Sequence, residues 1–147
     1  MTLQDSENAR NVLLGDEFVT TIISLVSNQT GLSLEELLER NRKRRFVFAR
    51  QLNMFFLARH TPYSLAEIGS VFHRDHSTVI YARDTIKSDI QRYNSVRTVF
   101  ESIEEKVDMY RRSREDTKYS VFKEVLELCE VSDEERKSWT ERYLNAK

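Results

Sequence analysis

From residue 16 onward, apolar side chains return every three or four positions, and the breaks between these runs carry helix-capping residues. Phe18, Ile22, Ile23, Leu25 and Val26 predict a helix over about residues 16–28, with Gly31 at its stop. The residues ahead of it read as a polar start. Ser33 and Glu36 stand at capping-box spacing before Leu34, Leu37 and Leu38, which predicts a short helix ending near Arg40. Val47, Phe48, Leu52, Phe55, Phe56 and Leu57 mark a longer helix, which Thr61 and Pro62 end.

Residues 64–83 use the same logic twice at close quarters. Ser64 and Glu67 form a second capping box, opening a helix through Leu65, Ile68, Val71 and Phe72. Asp75 precedes Val79, Ile80, Ala82 and Ile86, so its carboxylate caps the next helix and suits the positive end of its dipole. Two helices that meet at a three-residue turn are a helix-turn-helix. Gly69, having no side chain, lets the second helix cross close to the first. The plainer alternative is a helix glycine that is merely tolerated.

The second of these helices should run to about Tyr93, and Asn94 or Ser95 can cap another through Val96, Val99, Phe100, Ile103 and Val107. Residues 111–118 hold no apolar side chain and read as a linker or a solvated helical bridge. Beyond them Tyr119, Val121, Phe122, Val125, Leu126 and Leu128 suggest an amphipathic helix, and Ser132 with Glu135 opens a last one carrying Trp139, Tyr143 and Leu144. The expected organisation is a helix-turn-helix domain over residues 1–110 and a helical extension over 111–147. The extension either forms a hairpin for self-association or a protein partner, or folds back on the main core.

Composition narrows the class. Three glycines and one proline leave little material for β turns, so the expected fold is an all-α helical bundle. A single cysteine, Cys129, excludes an intrachain disulfide, and no apolar run is long enough for a membrane span. The expected location is the cytoplasm. The formal charge of −1 hides a segregation: residues 1–39 carry −6, residues 40–97 carry +8, and residues 98–147 carry −3. The basic block surrounds the helix-turn-helix, as a phosphate-binding surface needs, because the field of surface charges is screened within about 10 Å.

The string from Ser64 to Arg83 resembles the signature of the DNA-binding C-terminal domain of DnaA, the bacterial replication initiator: Ser-Leu-x-x-Ile-Gly-x-x-Phe-Gly-Gly-Arg-Asp-His-Thr-Thr-Val-x-x-Ala. The matching residues are Ser64, Leu65, Ile68, Gly69, Phe72, Arg74, Asp75, His76, Ser77, Thr78, Val79 and Ala82. Upstream, Arg50, Gln51 and Met54 match the family's Arg-Gln-x-x-Met, and the resemblance covers about residues 18–90. It implies a helix-turn-helix bundle that binds double-stranded DNA in the bacterial cytoplasm at the nucleoid, with Arg50 and Gln51 contacting DNA beside the recognition helix. Two departures stand out. His73 alone replaces the family's Gly-Gly, and Phe48 stands where many members place an arginine for the minor groove, leaving Arg44 or Arg45 to substitute.

The candidate contacts divide into phosphate and base. Arg42, Lys43, Arg44 and Arg45 are consecutive cations at a helix start, where the dipole disfavours them, and DNA phosphate explains the placement better than a solvated face does. Arg74, Arg83 and Lys87 also suit phosphates. His76, Ser77 and Thr78 form the first turn of the recognition helix, the part that enters the major groove, and their polar atoms suit base edges. Asp75 caps this helix and can also accept from a cytosine amino group. His73, Asp75 and His76 make a poor metal cluster across a turn, and the dispersed glycines with no Gly-Lys-Ser or Gly-Lys-Thr make no phosphate-cradling loop. The expectation is therefore no enzyme, no cofactor and no metal. Replication initiation and transcriptional regulation both fit, and a phage or other mobile element is the expected source. The competing reading is a helical interaction protein that binds a replication or transcription protein through its C-terminal helices.

Overall fold

The computed structural model describes residues 2–128 together with Glu134, Lys137, Ser138, Glu141 and Arg142. Its elements are α1 (Leu3–Leu14), α2 (Glu17–Thr30), α3 (Leu34–Leu38), α4 (Arg44–His60), α5 (Leu65–Val71), α6 (His76–Arg92) and α7 (Asn94–Leu128). The fold is all-α. The chain divides into two compact units, Met1–Val107 and Asp108–Lys147.

The local signals act as their chemistry requires. The Ser33 and Ser64 side chains each accept from a backbone N–H three residues on, and Glu36 and Glu67 return the bond to the cap residue. Gly31 ends α2 with φ 74°, in the left-handed region that costs glycine little. Asp16 accepts from the Phe18 and Val19 N–H groups at the start of α2 and also from the Tyr63 hydroxyl. That last bond ties the α2 start to the segment just before α5. It also pushes the Tyr63 phenol up to about 12, because the neighbouring carboxylate holds the proton.

The core of the first unit gathers around α4, whose Ala49, Leu52, Met54, Phe55, Phe56 and Leu57 are buried against α2, α5 and α6. Phe56 is fully buried; it packs edge-on to Phe55 and stacks on Phe100 of α7. At the end of α4, Arg59 Nε and His60 Nε2 meet Glu104 of α7 at 3.1 and 2.7 Å. Ile103 and Val107 complete this core.

Three expectations need correction. The polar start is helix α1, capped by a reciprocal Thr2–Asp5 box and packed on α5 and α2. Its pattern is weak because Leu13 alone is fully buried while Leu3 is 92% exposed. Asn94 is the first residue of α7, not its cap, and its side chain accepts from Arg97. Finally, residues 111–118 are the solvated helical bridge and not the linker, and what changes is that α7 runs unbroken through them to Leu128, so the bridge and the following amphipathic segment are one helix. The last expected helix, from Ser132 to Leu144, falls mostly outside the described residues, and the five that are described, Glu134, Lys137, Ser138, Glu141 and Arg142, are helical.

Candidate nucleic-acid interface

The turn between α5 and α6 is set by Gly69. Its carbonyl accepts from the Phe72 N–H at 3.1 Å and the Arg74 N–H at 2.9 Å, drawing the turn back over the helix. A Cβ placed on Gly69 would lie 2.4 Å from the Arg74 carbonyl oxygen and 3.2 Å from that of Asp75. Only glycine fits so close an approach. His73 takes φ 55°, the left-handed conformation that glycine adopts most readily, at the position where the resembled signature has Gly-Gly. This is how one residue closes the shorter turn.

Asp75 then organises the first turn of α6. Its Oδ1 accepts from the Thr78 N–H at 3.0 Å, the Ser77 hydroxyl at 2.6 Å and the Thr78 hydroxyl at 3.2 Å. These bonds hold the Asp75 carboxyl below the usual carboxylate range, the Ser77 hydroxyl contributing most. Both hydroxyl protons point inward to Asp75, so the lone pairs that Ser77 and Thr78 present outward can only accept. The chemistry fits an exocyclic amino group of cytosine or adenine. His76, Ser77 and Thr78 are all exposed. Because the folded pKa is lowered, the stabilisation Asp75 gives is present above its ordinary value of 3.8 and is lost as pH falls below it. The stability difference between the native chain and Asp75→Ala should therefore be constant near neutrality and shrink below about pH 4 in acid titrations followed by circular dichroism. A difference that persists undiminished to pH 2 would contradict the cap.

The basic segment precedes α4. Arg42, Lys43, Arg44 and Arg45 are exposed, the α4 start has no side-chain cap, and its first turn holds no acid. None of the salt bridges among the described residues involves these four cations. Arg45 lies over the Phe46 ring at 5.6 Å. Arg50 is placed differently from its neighbours. Its guanidinium donates to the carbonyls of Leu37, Glu39 and Asn41 at 3.3, 3.2 and 2.6 Å and is 8% exposed. Burial first, and then Arg74, lower its pKa from the ordinary arginine value. Arg50 is thus committed to holding the loop in front of α4, although the resemblance sets it on DNA.

A cleft of about 630 Å³ joins the two regions, lined by Leu38, Arg40, Asn41, Arg42, Arg50, His73 and Arg74. It brings Arg42, Arg50 and Arg74 together, while Arg44, Arg45 and Gln51 lie outside it. Arg74 is pinned over the turn by bonds from Nη1 to the Phe72 and His73 carbonyls. On α6, Arg83 pairs with Asp84 at 3.3 Å and Lys87 is exposed. Phe48 packs against the core. Two participants were not expected: Arg40, whose signal was its place at the head of the cation run, and Asn41. The Asn41 carbonyl meets Arg50 and its side chain accepts from the Lys43 N–H. No sequence pattern marks that role.

A capped, polar first turn on α6, set beside a cationic loop, defines a helix-turn-helix of the DNA-binding class. Residues 19–86 match the family described as bacterial dnaA protein helix-turn-helix. Among the relatives are chromosomal replication initiator proteins DnaA. That of Chloroflexus aurantiacus is 32% identical over 117 residues, covering 76% of this chain and 24% of the relative. That of Synechocystis is 43% identical over 67 residues, covering 45% and 15%. That of Flavobacterium psychrophilum is 39% identical over 89 residues, covering 60% and 19%. The chain spans about a quarter or less of the length of these relatives. Among the described residues, no helix is long and apolar enough to cross a membrane and no three His, Cys, Asp or Glu side chains gather as metal ligands.

Proposed function

We propose that this chain binds double-stranded DNA sequence-specifically, placing the first turn of α6 in the major groove while the segment from Arg40 to Arg45 holds the backbone. The observation that carries this reading is the Asp75-organised turn, which holds Ser77 and Thr78 and leaves them exposed with His76, beside an exposed run of cations that joins no salt bridge among the described residues. Phosphate contacts fall to Arg42, Lys43, Arg44, Arg45, Arg74, Arg83 and Lys87, and base contacts to His76, Ser77 and Thr78. Gln51, on α4, stays with the DNA-contacting set. The free Oδ2 side of Asp75 faces no partner among the described residues and suits a cytosine amino group. The role is that of a binding protein acting in replication initiation, which the relatives' names give for them, or at an operator.

His76→Ala or Thr78→Ala should cost about 1 to 3 kcal/mol of discrimination between the bound site and random duplex. Equal loss on both, in a competition assay, would remove these residues from base reading. Lys43→Gln should instead weaken all sequences alike and reduce the slope of log affinity against log salt by about one unit. An unchanged slope would show that Lys43 touches no phosphate.

A further inference from the structure

Tyr81 is 66% exposed on α6, a large ring that belongs to no part of the packed core. At 3.6 residues per turn it lies about 40° around the axis from Ser77 and about 60° from Thr78, some 6 Å further along than Ser77. Val79, Ala82 and Ile86, all fully buried, mark the opposite side. His76, Arg83 and Lys87 fall within about 40° of one another on one flank, all exposed. Tyr81 stands on the other flank, between Ser77 and Thr78 around the axis. The centre of the outward face is otherwise Ser77, Asp84 and Ser88, so its apolar surface comes chiefly from this ring.

We propose that Tyr81 is a specificity-determining residue that packs its ring on the 5-methyl group of a thymine, one turn deeper in the groove than the bases met by Ser77 and Thr78. The inference rests on the DNA-reading function above. The thymine methyl is the apolar feature of the major-groove edge, and an exposed ring one turn beyond the polar first turn is placed to meet it. The contact belongs to the ring, since a hydroxyl gains nothing from a methyl.

The test takes the duplex that the full chain selects from a random library. Each thymine is replaced singly by deoxyuridine, which lacks only the methyl, and Kd is measured for the native chain, Tyr81→Phe and Tyr81→Ala. At one thymine the native chain and Tyr81→Phe should each lose about fourfold in affinity, the worth of burying one methyl group. Tyr81→Ala should be insensitive at that thymine while keeping any sensitivity elsewhere, such as one due to the Thr78 methyl. Identical profiles for the native chain and Tyr81→Ala would overturn the proposal, as would a site with no sensitive thymine. Equal weakening of selected and random DNA by Tyr81→Ala would also overturn it, making Tyr81 a backbone contact. If the library yields no enriched sequence, the DNA-reading function itself falls, a failure distinct from loss of the Tyr81 contact alone.

Discussion

Gly69→Ala is expected to destabilise the first unit towards the upper end of the range of about 1 to 3 kcal/mol typical of overpacking, and to lower DNA affinity with it. The sign is the informative part. At an open site in a helix the same change stabilises by about 1 kcal/mol, because alanine loses less backbone freedom on folding. Here the new methyl would sit 2.4 Å from the Arg74 carbonyl oxygen. That atom cannot rotate aside. It belongs to the backbone, and the Arg74 N–H is bonded to Gly69's own carbonyl. Relief requires the turn to open, which would move Asp75 and the start of α6. Chemical denaturation should show the loss directly. A Gly69→Ala chain as stable as the native one would mean that the two helices do not approach so closely.

Arg50→Leu is expected to release the loop before α4, at a cost in stability of about 1.5 to 3 kcal/mol for the lost charged hydrogen bonds. DNA affinity should fall for every sequence, because Arg40 and Arg42 would no longer be held against the turn at His73 and Arg74. Arg50→Lys makes the distinction sharper. It keeps the positive charge but lacks the planar fork that spans the carbonyls of Leu37, Glu39 and Asn41. Under a positioning role the lysine variant should lose most of the stability that leucine loses. If Arg50→Lys kept native stability and lost only affinity, Arg50 would be contacting DNA itself.

Much of the first unit was legible because its signals are local. Capping boxes at Ser33 and Ser64, the cap at Asp75 and the stop at Gly31 need only a few residues to act, so the sequence shows them directly. The helix-turn-helix is the clearest case, since both its helices start at such caps and Gly69 marks their crossing. What stayed hidden depends on distant partners. Helix α1 has little apolar periodicity, with Leu13 alone fully buried, and its existence shows only once α5 and α2 are there to receive it. Arg50 looks like its exposed neighbours in sequence. Its burial follows from the path of residues 37–41, which no spacing encodes. The polar stretch 111–118 was ambiguous between linker and helix because it has no apolar stripe, and α7 carries through it regardless.

In the candidate site, residue types were legible but their states were not. Ser77 and Thr78 read as donors or acceptors in sequence, and the Asp75 cap resolves them as acceptors towards anything outside. His73 read as a shortened turn, and its left-handed backbone shows how the shortening is accommodated. The charge segregation of the chain is likewise refined by the fold. Of the exposed run, Arg42 meets the turn at His73 and Arg74 in one cleft, which Arg40 and Arg50 also line.

The central claim is that the first turn of α6 reads sequence. Its most direct test is selection from a random duplex library at near-physiological salt, run in parallel with the full native chain and with His76→Ala. The account predicts a sharp enriched motif for the native chain and loss of information at one or two adjoining positions in the variant. Flat enrichment for the native chain, or an identical motif from both proteins, would contradict it.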